Sequence, residues 1–294
     1  MALVPQTKQQ RGLYPPAMSS DPFISLREPE FAERPSDQQI SPRAGVLIIN
    51  ADDWGSNSET TDRIFECVRH GAVSSASAMV FMADSERAAE LALERGVDVG
   101  LHLNFTTPFT AQQVPAQLVR HQQLLMRFLR GNPLARTVFH PGLHRSFKYV
   151  MTAQLEEFRR LFDSEPARID GHHHMHLCAN VLLADLLPAG TIARRNFSFQ
   201  SGEKSVANRL FRKIVDNKLA KQHRLTDYFF SLPPLEPAER LERIVGLAKR
   251  AAVEVETHPV NPEEYRFLMD GRIFNLIGEV PIASSYRLPH CKPS

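Results

Sequence analysis

The chain has 294 residues, 43% of them hydrophobic, which suits one large single-core domain of barrel size. Its 35 Lys and Arg nearly balance 33 Asp and Glu, so no broad electrostatic footprint for nucleic acid or an anionic membrane is expected. No apolar run approaches the length of a membrane span, the N-terminus does not read as a secretory signal, and three widely spaced cysteines fit reduced thiols; a cytoplasmic protein is expected.

Residues 1–43 hold seven of the 21 prolines and show little periodicity. Such a segment buries little, so it is read as a flexible or loosely docked arm ahead of a barrel domain at 44–294. Order begins at Gly45–Asn50, a β-branched run typical of a strand buried on both faces. Asn57–His70 follows as a helix ending at Gly71. Next come a strand at Val73–Val80, an Ala/Leu-rich helix at Ser85–Arg95 and a strand at Val97–Leu103. This alternation demands a mostly parallel sheet.

Pro108–His144 reads as an insertion with a helix near Gln117–Leu129, followed by a helix at Thr152–Phe162. A short strand at Ala167–Gly171 runs into His172, Ala179–Leu187 reads as helix, and Thr191–Arg195 is a candidate strand. Asn196–Leu235 is basic and irregular, with no assignable element. A helix at Pro237–Arg250, a strand at Ala252–Thr257 and a helix at Pro262–Met269 complete the pattern.

The ends of the strands carry the chemistry. Asp52-Asp53 follows the first, His102 lies on the third, His172-His173-His174-Met175-His176 follows a later one, and Glu256-Thr257-His258-Pro259 closes the last. In parallel α/β folds the functional face forms at such C-terminal strand ends. Taken alone, an Asp-Asp pair also suits a turn or helix cap, and a lone His102 also suits a core histidine. Together they suggest more. Alternation would turn one aspartate towards a metal ion and the other towards a water as general base. If the strand continues, alternation also sends His172 and His174 one way and His173 the other. Aspartate with two histidines and open positions is a catalytic metal arrangement suited to hydrolysis. His258 is then a candidate general acid.

Asn50-Ala51-Asp52-Asp53-Trp54-Gly55, Val99-Gly100-Leu101-His102-Leu103-Asn104 and Ile169-Asp170-Gly171-His172-His173-His174-Met175-His176 occur in this order. With them the chain resembles the YdjC-like carbohydrate deacetylases, of the chitooligosaccharide and hopanoid-biosynthesis type, over roughly Val46 to Leu268. The resemblance implies a distorted (β/α) TIM-like barrel that removes an N-acetyl group from an amino sugar, chitooligosaccharide-like or lipid-linked. It implies one divalent metal ion, Mg2+ or Zn2+, held by Asp53, His102 and His172, with Asp52 as base and His258 as acid. Arg194 or Arg195 would match a family arginine that orients the base. Trp54, Asn104, His174 and Glu256 join the substrate-binding or orienting candidates, Trp54 standing where many relatives have Phe. Relatives also suggest a homodimer. The other readings are a phosphoesterase on a similar barrel, which would need more bridging carboxylates, and a non-catalytic sugar-binding barrel.

Overall fold

A computed structural model describes residues 45–131, 134–199, 203–286 and 288. The expected arm at 1–43 lies outside these residues, and all of them belong to the unit spanning 40–294. Among the described residues, seven parallel strands form one curled sheet: β1 (Val46–Trp54), β2 (Ser75–Ala78), β3 (Val99–Leu103), β4 (Arg168–Gly171), β5 (Ile192–Ala193), β6 (Tyr228–Ser231) and β7 (Ala252–Thr257). Their order is β5-β4-β3-β2-β1-β7-β6. The fold is therefore the distorted α/β barrel expected. β6, inside the stretch left unassigned, completes one edge.

Nine α-helices wrap the sheet among the described residues: α1 (Ser58–Arg69), α2 (Ser85–Arg95), α3 (Ala116–Gly131), α4 (His144–Phe162), α5 (Ala179–Leu183), α6 (Val206–Leu219), α7 (Ala238–Ala248), α8 (Pro262–Met269) and α9 (Arg272–Ile277). Asn57 caps α1 by accepting from the Thr60 amide, and Gly96 closes α2 in the left-handed conformation that glycine adopts without strain. The helix expected at Asn57–His70 is thus α1 with its cap. None of the helices is long and apolar enough to cross a membrane.

Alternation along the strands sorts the core into two sides. Leu47, Ile49 and Ala51 of β1 join the main apolar cluster with the helices. Ile48, Asn50 and Asp52 face the concave interior instead. That interior is layered. At its base Ile48 packs with Ile192 of β5 and with Tyr286, although β5 stands four strands from β1 in the sheet. This contact requires the curl. Above it Asn50 donates to the Ser77 hydroxyl at 2.8 Å, while the buried Arg168 donates to Asn50 Oδ1 at 3.2 Å and to the Ala76 carbonyl at 2.6 Å. Gly100 makes this layer possible, because a Cβ there would stand 2.6 Å from Arg168 Cγ. The layer above holds the candidate site.

Candidate metal centre at the strand ends

Asp52 continues the pleat of β1 into the interior, but Asp53 does not follow it. The β1–β2 register shifts between Ala51 and Trp54, and Asp53 takes φ 71°, in the left-handed region. A bulge of this kind re-aims a side chain. Simple alternation would have separated the two carboxylates; instead both face His102. Asp53 Oδ1 lies 3.3 Å from His102 Nε2, and Asp52 Oδ2 lies 4.0 Å from the same nitrogen.

The segment after β4 also departs from expectation. His172–Leu177 forms a 3-10 turn, with His173 and His174 both left-handed at φ 55° and 56°. Strand alternation therefore does not govern the four histidines. His172 Nδ1 reaches Asp53 Oδ1 at 2.9 Å. His173 is not turned away from His172, since their ring centroids are 4.0 Å apart, but its Nδ1 is engaged with the Thr106 hydroxyl at 2.9 Å. His176 is fully buried, with Nε2 2.9 Å from the Arg194 carbonyl oxygen.

Three ligand-type atoms thus converge: Asp53 Oδ1, His102 Nε2 and His172 Nδ1 all lie within 4.8 Å of one another. Asp53 Oδ1 and His102 Nε2 are buried without a hydrogen-bond partner, despite their proximity. Buried polar atoms are rarely left so. Three ligand-type atoms converging on one point are what a cation site requires, so this set fits a divalent metal ion. His102 Nδ1 sits 2.7 Å from Asp170 Oδ1, which fixes the ring and leaves Nε2 to face the cluster. Burial alone would raise the Asp53 carboxyl, yet His102 and His172 hold it well below the carboxylate range. Burial disfavours a charged His102, but Asp52 and Asp170 overcome this and raise the imidazole well above its usual value. The local field favours a cation here.

Beneath the cluster lies Arg194, buried with 1% of its side chain exposed. Nη1 and Nη2 donate to the two Asp52 oxygens at 2.6 and 2.8 Å, and Nε donates to Glu254 at 2.7 Å. Asp170 stands 2.9 Å away and Glu256 3.4 Å away. Phe229 of β6 lies under the guanidinium, 4.9 Å from ring centre to carbon. One cation against four buried carboxylates leaves excess negative charge. Burial and the Asp52 charge push Glu256 well above the carboxylate range, so it carries a proton readily. Tyr286 donates its hydroxyl to Glu254 at 2.6 Å.

The remaining sequence candidates separate. Arg194 reaches the site and Arg195 does not, because Arg195 pairs with Asp216 at 2.8 Å. Trp54 is fully buried against the helices and donates its indole N–H to the Ala88 carbonyl, so it does not form a pocket wall. Asn104 is buried too, accepting from the Thr106 and Thr107 amides to staple the loop after β3. His174 Nε2 lies 3.7 Å from Glu256, and burial, helped by Arg194, holds its ring well below the usual histidine range. His258 follows β7, its amide donating to Glu264 at 2.9 Å. The β1–β7 register pairs Ala51 with Thr257, which places His258 beside Asp52 along the backbone. Glu254, Tyr286, Asn50 and Ser77 were not singled out from the sequence. The alternating Glu254 and Glu256 in an otherwise apolar strand are the signal that could have revealed a polar interior.

The profile of the YdjC-like protein family matches residues 46–276. The chain belongs to that family. A chitooligosaccharide deacetylase from Serratia marcescens is 32% identical over 136 residues, 45% of this chain and 51% of that protein. A chitooligosaccharide deacetylase from Proteus mirabilis is 30% identical over 202 residues, 60% of this chain and 77% of that one. A carbohydrate deacetylase from Mus musculus is 30% identical over 141 residues, 46% and 44% of the two chains. The chain thus spans about half the length of the Serratia and mouse proteins. Among solved structures, an Enterococcus faecalis V583 protein bearing the name cellobiose-phosphate cleavage protein superposes with a TM-score of 0.57. It shares 18% identity over 82% of this chain and 96% of that one, a likeness of fold.

Proposed function

We propose that this YdjC-like protein is a carbohydrate deacetylase that hydrolyses the N-acetyl group of an amino sugar, with one divalent metal ion as cofactor. The observation that carries this reading is the convergence of Asp53 Oδ1, His102 Nε2 and His172 Nδ1 beside the Arg194-clamped Asp52. The names of the bacterial and mouse relatives support the substrate class. Asp53, His102 and His172 would hold the ion, and two imidazoles with one carboxylate suit zinc better than magnesium. Such an ion, when bound, polarises an acyl carbonyl and acidifies water.

The chain's own groups then divide the proton traffic. Asp52 accepts the proton of the attacking water, whose oxygen forms the new bond to the acetyl carbon. Arg194 keeps that carboxylate aimed, since a bidentate fork fixes both oxygens. As the carbon–nitrogen bond breaks, the nitrogen takes a proton from His258, and acetate and a free amine leave. Glu256, holding a proton, can donate a hydrogen bond to a substrate oxygen near His174.

A two-metal phosphoesterase fits less well. The second carboxylate-rich group, Asp52 with His102 and Asp170, already accepts from Arg194, Asn50 and Ser77. A sugar-binding barrel without chemistry has no use for a buried base clamped by arginine. The test is acetate release from a panel of N-acetylated amino sugars after chelation, then with zinc or magnesium restored. Release that stops with chelator and returns with the ion is expected. Release indifferent to the chelator, or phosphate release from phosphoesters in its place, would contradict the reading.

A further inference from the structure

Seven of the twelve large hydrophobic side chains exposed among the described residues gather in one region. On α6, Val206, Leu210, Phe211 and Ile214 are 45–72% exposed. Leu183 projects from the end of α5, and Val138 and Phe139 lie in the segment before α4. These pieces adjoin. The Ala179 amide at the start of α5 donates to the Arg136 carbonyl at 2.8 Å, and Lys218 of α6 pairs with Asp185 just beyond α5 at 2.6 Å. Single exposed apolar residues need no explanation, whereas a contiguous patch marks a surface that something covers.

The charge on α6 narrows what covers it. Val206, Leu210 and Ile214 recur every fourth residue and form one stripe, while Val215, Asp216 and Leu219 face the body. Of the cations on this helix, Lys213 is exposed, Arg209 and Arg212 are half-buried with Arg212 over the Phe199 ring, and Lys218 is paired with Asp185. Its one acid, Asp216, is turned inward onto Arg195 and Asn196. A twofold contact between copies would set this basic patch against itself. A purely polar polyanion would leave the apolar stripe wet. A cationic helix with a lateral apolar stripe matches an anionic lipid interface, where the stripe enters the acyl boundary and the cations meet headgroups.

We propose that α6 and its adjoining apolar patch dock the protein on an anionic lipid surface. A cavity of about 230 Å3 runs beside this helix, lined by Arg136, Asn208, Phe211 and Arg212 and, at its inner side, by Phe197 and His174. Docking therefore brings the approach to His174 close to the headgroups. The near-neutral charge of the whole chain hides this local asymmetry.

The probe is co-sedimentation of the full chain with vesicles of phosphatidylcholine alone or mixed with phosphatidylglycerol. Binding to the mixed vesicles, and release by high salt, is expected. Lys213→Gln should weaken partition about fivefold, the contribution of one cation near a charged surface. Leu210→Asp should abolish it, while both variants melt with the native chain because both positions are solvent-exposed. No binding to the mixed vesicles, or binding indifferent to both substitutions, overturns the proposal. So does a dimer in sedimentation velocity that Leu210→Asp dissociates, which would assign the patch to a second copy. Vesicle binding reads no turnover, so its failure leaves the deacetylase reading untouched, and the reverse also holds.

Discussion

Arg194 holds both oxygens of Asp52, at 2.6 and 2.8 Å, in an interior where neither side chain is more than 3% exposed. The pair joins β5 at one edge of the sheet to β1 near its middle, so the clamp exists only because the sheet curls. Arg194→Lys keeps the charge and loses the fork. Its expected effect is a fall in turnover of about 10–100-fold, with metal content retained. Arg194→Ala leaves Asp52, Asp170 and Glu254 uncompensated and should cost about 3–5 kcal/mol of stability. Turnover, metal content and melting temperature measured on both variants check this.

The His172 and His173 rings lie with their centroids 4.0 Å apart, yet only His172 turns a nitrogen to Asp53. His172→Ala should therefore remove the metal, while His173→Ala, which frees Thr106, should weaken binding far less. Metal titration of the two variants decides it; equal losses would place His173 among the ligands.

Burial lowers His176 to about 4, against an ordinary 6.5. The folded state thus resists a proton that the unfolded chain accepts. Its contribution is fully present above pH 6.5 and is lost as pH falls towards 4, amounting to about 3 kcal/mol in the limit. Denaturant unfolding at pH 7 and pH 4.5 should show a steeper acid loss in the native chain than in His176→Gln.

Tyr286→Phe removes the donor at 2.6 Å from Glu254 while keeping the ring on Ile48 and Ile192. A buried acceptor left short of a donor costs about 1–3 kcal/mol. The melting temperature should fall, with little change in metal content, because Tyr286 does not touch the metal-binding atoms.

Much of this architecture could be read from the chain. β1 and α2 announce themselves by an apolar run, helical spacing and Gly96, and those signals are local. The aspartates and histidines at strand ends were equally visible. What was not visible depends on long-range geometry. The bulge that turns Asp53 back towards His102 leaves no mark in Asp52-Asp53-Trp54. Nothing in Arg194-Arg195 tells which arginine faces inward, since that follows from the two-residue β5 and its partner Ile169. α6 escaped assignment because its apolar stripe faces outward and its buried side includes Asp216, inverting the usual pattern. β6 is only four residues long and is recognised by its pairing with β7.

The central claim is that Asp53 binds the ion and Asp52 handles the proton. Metal content and acetate release measured together on Asp52→Asn and Asp53→Asn test it most directly. Asparagine keeps the shape of aspartate but takes no proton at neutral pH. The account predicts that Asp52→Asn retains its metal and loses about 10²–10⁴-fold in turnover, the usual contribution of a positioned base. Asp53→Asn should lose metal and activity together. Metal lost from Asp52→Asn and kept by Asp53→Asn, or full turnover in both, would contradict it.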